Sequence, residues 1–302
     1  MVKLPQGQFD LFIASASDVS PKAQQELMAR NWFSLAKQKR IEPIEHKFGN
    51  SWVKITGNPK HGLATIFDND VLIFVIAQYM SAINNGSETG RRFQFTGYEF
   101  FKFIGKKKFG GKGYGDLWKS LERLHNTFVE TNIRLDGNTR HHSFNWLSEI
   151  KQNVENGRHV GYEIVIPEWL YNSVVNDKLV LTLDAGYFSI KGGLERWLYL
   201  FARKTSGWQT GGWSEGINSV YEKSGSKSSL SEFKRRVRQI ISGGGLLGYI
   251  VNELDLPRQK GLHFIRDNQL IDMVSKNRKS KGAKKWNKSL VTKLADEVLK
   301  DE

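Results

Sequence analysis

The stretch from Trp213 to Ser242 constrains the fold most, because helical periodicity appears twice in it, on either side of a short glycine turn. Its second part, Ser228 to Ser242, has apolar residues at helical spacing on one side: Leu230, Phe233, Val237, Ile240 and Ile241. At about 100° per residue, the opposite side carries Ser231, Arg235, Arg238 and Gln239, flanked by Lys234 and Arg236. This pattern predicts a helix whose back is buried and whose front is basic.

The neighbouring residues predict where this helix begins and what precedes it. Ser229 and Glu232 have the S-x-x-E spacing of a capping box. A shorter helix is predicted over Ser214 to Lys223, and the turn between the helices contains Gly225, which tolerates a positive φ. Together they predict a helix-turn-helix that enters the DNA major groove, where arginine suits guanine and glutamine suits adenine. Basic amphipathic helices also lie on membranes or bind acidic partners, so this pattern leaves those alternatives open.

The first half of the chain predicts a similar order of elements. A buried helix is expected over Asp70 to Asn84, capped by Asp68, followed by a strand over Arg92 to Phe95. Thr96 and Glu99 form a second capping box that opens another helix. The elements that follow are a lysine-rich turn from Gly105 to Gly113, a helix from Tyr114 to Asn126, and a hairpin of Phe128 to Leu135 with His142 to Lys151. This order predicts a winged helix whose wing is the hairpin tip, Asp136 to His142.

The remaining segments complete a predicted α+β fold. Residues 1–20 are expected to be irregular, a helix should begin at Ser20-Pro21 and end in the basic run Lys37 to Arg40, and residues 41–62 should hold a short strand or hairpin. Later elements are strands over Val160 to Ile166, Leu246 to Leu254 and Leu262 to Arg266, and helices over Pro167 to Val175 and Gly193 to Lys204. We predict two tandem winged-helix domains, residues 1–160 and 161–270, and a basic C-terminal tail, residues 271–302.

The overall charge favours a polyanionic partner. The formal net charge is +14, and neutralising phosphates releases counterions from nucleic acid. The run from Lys276 to Lys288 is basic without an acidic residue, as expected of an arm that contacts phosphates without sequence preference. The chain has no cysteine, and its apolar run Val71 to Met80 is too short to span a bilayer. We therefore expect a cytoplasmic protein that binds no membrane.

These patterns select candidate contacts to double-stranded DNA. In the first half they are Lys106, Lys107, Lys108, Lys112, Lys119, Arg123, Asn126, Arg140 and His141. In the helix-turn-helix they are Lys227, Ser228, Ser231, Lys234, Arg235, Arg238 and Gln239, and in the polar turn of the second hairpin they are Arg258 and Lys260. Ser231, Arg235, Arg238 and Gln239 should supply more of the sequence discrimination, because they include more bidentate donors.

The sequence offers little for catalysis. Asp68 and Asp70 have the spacing of a divalent-ion pair, but acids at the start of a helix also cap it and complement its dipole. His141 and His142 lack a third ligand nearby, and no His-x-His pair of a rolling-circle nickase is present. The glycine runs lack the order of a nucleotide-binding loop. We expect no enzymatic activity, no metal and no cofactor.

Several ordered runs resemble one known family. They include Met28 to Leu35, Gly62 to Asp70, Phe95 to Phe100, Tyr114 to Trp118, Leu121 to Leu124, Thr131 to Ile133, Leu194 to Tyr199 and Tyr221 to Ser226. On these runs the chain resembles the replication initiator protein A family of bacterial plasmids, over most of residues 27–250. The resemblance implies an initiator that binds repeated sites at a plasmid origin, opens the duplex and works with the host initiator and helicase machinery.

Two kinds of protein stay open at this point. An origin-binding initiator and a transcriptional repressor both contact DNA with helices and wings, and only the family resemblance favours the initiator. A second copy of the chain is a further candidate partner. Direct repeats beside an AT-rich stretch would point to the initiator, whereas an inverted repeat over the gene's own promoter would point to the repressor.

Overall fold

In a computed structural model, the chain is described over residues 11–15, 19–133, 141–156, 158–207, 209, 211–257 and 259–268. The α-helices in these residues are α1 Gln25–Ala29, α2 Asn69–Asn84, α3 Gly97–Phe103, α4 Gly111–Asn126, α5 Glu168–Val175, α6 Gly193–Thr205, α7 Ile217–Ser224 and α8 Leu230–Ser242. A 3-10 helix spans Ala185–Ser189.

In the part of the chain that the structure describes, four sheets are formed by thirteen strands. They are β1 Leu11–Ile13, β2 Lys22–Gln24, β3 Ile44–Phe48, β4 Ser51–Gly57, β5 Arg92–Phe95, β6 Thr127–Thr131, β7 His142–Asn145, β8 Glu149–Glu155, β9 Arg158–Val165, β10 Val180–Thr182, β11 Trp213–Gly216, β12 Tyr249–Leu256 and β13 Gln259–Arg266. The strand orders are β1-β5-β9-β8, β3-β4-β6-β7, β10-β2 and β11-β13-β12. The mixture of helices with mainly antiparallel sheets confirms the predicted α+β class.

The two halves share one order of elements and one sheet arrangement. In the first half, α2, β5, α3 and α4 precede the β8–β9 hairpin, and β9 lies between β5 and β8. In the second half, α6, β11, α7 and α8 precede the β12–β13 hairpin, and β13 lies between β11 and β12. In each half, therefore, the strand between the first two helices pairs with the last strand of the unit.

The predicted wing of the first half is wrong. Strand β6 pairs with β4 instead of β5, so the β6–β7 hairpin, which lies between α4 and β8 in the chain, belongs to the separate sheet that β3 and β4 begin. The predicted return strand His142 to Lys151 is broken at the buried residues Trp146 and Leu147, and its two parts join different sheets. The hairpin that pairs with β5 is β8–β9, which turns near Asn156. Of the predicted tip, Asp136 to His142, residues 136–140 lie outside the described part of the chain.

The helix predicted from Ser20-Pro21 to the run Lys37 to Arg40 forms only in part. Residues Lys22–Gln24 form β2, which pairs antiparallel with β10, and α1 covers only Gln25–Ala29. Trp32 and Phe33 follow in an irregular segment, where both rings pack on Trp146 with centroid distances of 6.1 and 4.9 Å. The pairing of β2 with the distant strand β10 and the packing of Trp32 and Phe33 on Trp146 therefore determine the structure of this segment, in place of the helix that the local pattern predicts.

Most other predicted elements form close to their expected limits, but the helix predicted over Ser214 to Lys223 begins only at Ile217, because Trp213–Gly216 form strand β11 paired with β13. Helix α2 is buried along most of its length, and α3 begins with the full capping box of Thr96 and Glu99. The hairpin expected within residues 41–62 is β3–β4, while Leu11–Ile13, expected to be irregular, forms β1. Residue 160, the predicted domain boundary, falls inside β9, so the paired strands of the first half extend beyond it. In the described residues no helix is both long and apolar enough to cross a membrane.

Candidate nucleic-acid interface

Helix α8 has a buried back and a polar front. Phe233 and Val237 are buried, whereas the exposed residues include Ser231, Arg235, Arg236, Arg238 and Gln239. Ser229 caps the helix by accepting from the backbone N–H of Glu232 at 3.3 Å. The reciprocal half of the predicted capping box is replaced, because the Glu232 carboxylate binds Arg235. The exposed donors are the kinds that can contact base edges and phosphates.

The arginines of α8 are oriented by acids. Both Nε and Nη2 of Arg235 donate to Glu232 at 2.7 Å, and this contact raises the pKa of Arg235 and lowers that of Glu232. Arg238 donates from Nε to Glu253 of β12 at 2.9 Å. Because both arginine side chains are 59% exposed, water screens the pairs and their stabilising effect is small. The acids therefore hold the guanidinium groups in place while leaving them accessible to a ligand.

The turn before α8 is bound to the first half of the chain. Gly225 has φ +57°, and an added Cβ would lie 2.9 Å from the Ile44 side chain, so both its conformation and the close approach of β3 require glycine. Arg40 donates to the Gly225 carbonyl at 3.0 Å, and the Asn31 amide donates to the Ser224 carbonyl at 2.8 Å. His46 lies between the carbonyl oxygens of Asn31 and Glu222, at 2.8 and 3.0 Å.

The residues next to this turn have local partners as well. Lys227 is exposed and pairs with Glu42 at 2.5 Å. The Ser228 hydroxyl contacts Ser226, and its carbonyl accepts from Tyr221. The predicted contact Lys227 is thus available to a phosphate, whereas Ser228 mainly stabilises the turn.

Helix α4 has a different arrangement, and Arg123 is the main correction. Arg123 was predicted to face DNA, but its guanidinium donates to both carboxylate oxygens of the buried Asp68, at 2.7 and 2.6 Å. This bidentate contact raises the pKa of Arg123. Asp68 also accepts from the Thr65 backbone at 2.7 Å and makes no capping bond to α2, so its predicted capping role is wrong too.

The exposed residues of α4 lie between its start and Lys119. Lys112 and Lys119 are exposed as predicted, and Asp116 lies between them. Asn126, at the end of the helix, uses its side-chain amide to donate to the Glu122 carbonyl at 2.8 Å. Two of the four predicted contacts on this helix, Arg123 and Asn126, are therefore engaged within the protein, and two are available to a ligand.

Asp70, the second acid of the predicted divalent-ion spacing, is paired with Arg196 of α6. Arg196 Nη1 donates to Asp70 at 2.6 Å, and its guanidinium stacks on the rings of Phe67 and Tyr187 at 4.6 and 5.1 Å. Burial raises the pKa of Asp70 to about 6, although the neighbouring Arg196 opposes the shift. This pair connects the two halves of the molecule.

The turn between α3 and α4 concentrates positive charge. Lys106, Lys107 and Lys108 are exposed, and Lys106 Nζ lies 5.0 Å from the centre of the Phe101 ring. No ion pair is formed by these lysines or by Lys112 with the acids of the described segments. Beside this turn, a groove of about 520 Å³ lies between α3, α4 and the β8–β9 hairpin, and aromatic side chains line it. The sequence predicted the lysines but missed this groove.

The hairpins contribute the remaining predicted contacts. The ring of His141, which is exposed, lies 5.3 Å from Trp52, and Lys260 pairs with Asp255 at 2.5 Å across the β12–β13 hairpin. Lys234 is half-buried on α8. Arg140, Arg258 and the tail 271–302 lie outside the described residues. Among the residues that are described, no group of three or more histidine, aspartate or glutamate side chains is placed to hold a metal ion.

Comparison with known proteins identifies related replication proteins. The model of the family described as replication initiator protein A matches residues 22–251, a range that includes both α4 and α8. A protein of Wigglesworthia glossinidia brevipalpis, described as "Putative replication protein", is 34% identical over 209 residues, which cover 68% of this chain and 74% of that protein. These matches confirm the resemblance seen in the sequence motifs.

Solved structures with a similar fold include domains 2 and 3 of RctB. One crystal structure, of selenomethionine derivatives of these domains, matches with a TM-score of 0.54 and 13% identity, covering 80% of this chain and 98% of that chain. A second crystal structure of the same domains gives a TM-score of 0.49 at 10% identity. At such low identity the first match concerns the fold alone.

Proposed function

Since this chain belongs to the replication initiator protein A family, we propose that it starts plasmid replication by binding repeated duplex sites at an origin. The observation that carries the proposal is the exposed face of α8, where Arg235, Arg238 and Gln239 are accessible on a helix that directly follows a tight turn. Donors of these types at such a position suit base edges in the major groove.

We further propose that both halves are winged helices. The shared order of elements supports this, because each half places two helices before a hairpin whose last strand pairs with the strand between the first two helices. In the second half the wing would be the β12–β13 hairpin with Lys260, and in the first half it would be β8–β9. Helices α4 and α8 would then enter two successive major grooves on one face of the duplex.

Membership of the family suggests two steps after binding, namely opening of the duplex and loading of the helicase. After binding, the protein would promote opening of the duplex and help to load the host helicase, in the bacterial cytoplasm. The basic groups of the α3–α4 turn and of α8 support tight binding to phosphates, which the net charge of +14 also favours.

Footprinting on the replicon tests the proposal. We expect protection of short direct repeats at about helical-turn spacing, and an affinity that falls steeply as salt rises, since several phosphates are neutralised. Protection of only an inverted repeat over the gene's own promoter would favour a transcriptional repressor instead. An affinity independent of salt would contradict DNA binding through the basic surfaces.

We propose no catalytic step in this function. Asp68 and Asp70, the acids with divalent-ion spacing, are each neutralised by an arginine, Arg123 and Arg196. Incubation of the pure protein with supercoiled origin plasmid and Mg²⁺ or Mn²⁺ should leave the plasmid supercoiled. Relaxation that disappears when Asp68 or Asp70 is replaced by asparagine, in a variant that still folds, would overturn this part of the proposal.

A further inference from the structure

The aromatic groove of the first half has the features of a binding site. It lies between the N-terminal turns of α3 and α4 and the β8–β9 hairpin, and its volume is about 520 Å³. Tyr98, Tyr114 and Trp118 line it, together with the side chain of Gln152. None of these four residues is needed for the duplex contacts proposed above.

Two of the aromatic side chains are well placed to stack on a planar ligand. The Tyr98 side chain is 55% exposed, although its ring also contacts Phe109 at 6.1 Å. Trp118 is nearly parallel to Tyr162, with 17° between the ring planes and 6.2 Å between their centres, so its orientation is fixed by packing. An exposed tyrosine and a fixed tryptophan at one groove form a platform of the kind on which bases stack.

Two glycines keep the groove open. Gly111 and Gly115 are one helical turn apart on α4, and both line the groove. A Cβ added at either position would meet no atom within 4 Å, so the space beside the helix is empty. A flat group can therefore approach the backbone of α4 at Gly111 and Gly115, where any other residue would place a side chain.

The charge around the groove selects the ligand. Lys106, Lys107 and Lys108 lie in the turn that leads directly to Gly111, and Lys112 follows it. In the described segments these four lysines form no ion pair with an acid, so they are free to bind anionic groups. Unpaired cations beside aromatic rings match a chain that alternates phosphates with flat bases. Gln152 adds a donor and an acceptor for the edge of a base.

We propose that this groove binds unstacked bases of single-stranded DNA, while the lysines of the α3–α4 turn bind its phosphates. Duplex DNA cannot use the platform, because each of its bases is already stacked on its neighbours. The inference rests on the proposed function in one respect, since opening of an origin would supply the single strand. Binding of single-stranded DNA does not require origin opening, and it can be measured with an isolated oligonucleotide.

Fluorescence anisotropy with a labelled 20-nucleotide oligo(dT) tests the site. Loss of one stacked base costs about 1–3 kcal/mol, so Tyr98→Ala should weaken oligo(dT) binding about 5- to 150-fold. Tyr98→Phe should retain the affinity, because the ring is kept. Gly115→Met, which fills the groove and favours the helix, should weaken binding to a similar extent. The control is Phe128→Ala, since Phe128 is 38% exposed on β6 and does not line the groove.

A duplex carrying the origin repeat distinguishes this inference from the proposed function. Tyr98→Ala should bind that duplex like the unchanged protein, with circular dichroism as the check on folding. The unchanged protein could bind the single strand through Tyr98 and yet not bind the duplex repeat. That result would contradict the proposed function and would support the inference about the groove. If Tyr98→Ala and Gly115→Met both bind oligo(dT) within twofold of the unchanged protein, or if the unchanged protein does not bind it, the inference is overturned.

Discussion

Helices α4 and α8 occupy the same place in the two halves of the molecule, yet they use their arginines differently. In α8, Arg235 and Arg238 are each 59% exposed, and the side chains of their partners Glu232 and Glu253 are 39% and 28% exposed. In α4, Arg123 is bound to Asp68, whose side chain is only 1% exposed, so it stabilises the fold. The difference shows that the position of an arginine on a helix does not establish whether it is accessible to a ligand, because a deeply buried acidic partner can engage it within the fold.

The largest expected effect concerns folding of the first half. Asp68→Ala would leave Arg123 without its partner and the Thr65 backbone without its acceptor, so we expect a loss of about 3 kcal/mol of unfolding free energy. We choose the lower end of the range for buried pairs because one quarter of the Arg123 side chain is exposed. Urea unfolding measures the change.

A matched substitution on α8 gives the comparison for that experiment. Glu232→Ala removes the corresponding acid of Arg235, and we expect the unfolding midpoint to change little, since this pair is exposed. Equal losses in the two variants would show that the contrast between α4 and α8 has no energetic basis.

The pair between the halves predicts a dependence on pH. Asp70 has a pKa raised from 3.8 to about 6, so the folded state holds this proton more tightly than the unfolded state does. Its contribution to the unfolding free energy should therefore be present below pH 4 and fall as the pH rises to about 6. The raised pKa corresponds to at most about 3 kcal/mol.

Chemical unfolding at pH 4.5 and 6.5 checks this prediction. In Asp70→Asn the fall between the two pH values should be smaller than in the unchanged protein, whereas exposed Asp116→Asn should keep it. An identical pH dependence in Asp70→Asn and the unchanged protein would contradict the raised pKa.

The next effect is on DNA affinity, and it again compares an arginine of α8 with an arginine of α4. On the proposed mode of binding, Arg235→Ala should weaken the specific site about 5- to 150-fold and relax the preference at one or two base pairs. Arg123→Ala should lower affinity equally for all sequences, because it acts through the fold. Competition between single-base variants of the site measures both. A changed base preference in Arg123→Ala, with a uniform loss in Arg235→Ala, would reverse the roles of the two helices.

The smallest effect is expected for the lysine turn of the first half. Lys106→Ala should weaken specific and random DNA alike, because a phosphate contact carries no sequence information. The slope of log affinity against log salt should become shallower by about one. Lys178→Ala, which removes a lysine outside the proposed interface, serves as the control. A loss restricted to the specific site would assign Lys106 a contact with bases.

Features that depend on neighbouring residues were predictable from the sequence. The buried helix α2, the polar face of α8, the Thr96–Glu99 capping box and the glycine turn at Gly225 each follow from periodicity or from a short spacing. These features suffice to define most elements and the second candidate helix-turn-helix.

Features that depend on distant partners were not predictable in this way. Strand β6 fits β4 or β5 equally well by its alternating pattern, and only the folded chain decides between them. The partner of Arg123 lies 55 positions earlier in the sequence, so nothing near Arg123 indicates that it is engaged. The groove did have one local indication: Tyr98 is an aromatic residue outside the apolar side of α3 formed by Phe100 and Phe101.

The attachment of the α7–α8 turn to the first half has a consequence for the length of the DNA site. Arg40 and Asn31 bind the backbone at Gly225 and Ser224 and His46 contacts the Glu222 carbonyl of α7, so a movement of the turn that carries α8 away from the first half would break these hydrogen bonds. One added base pair moves a major groove along the duplex by about 3.4 Å and rotates it by about 34°. On the proposed mode of binding, a protein that holds both helices in this way would accept one spacing between its two grooves, and an origin repeat lengthened by a single base pair would lose contact with one of the helices.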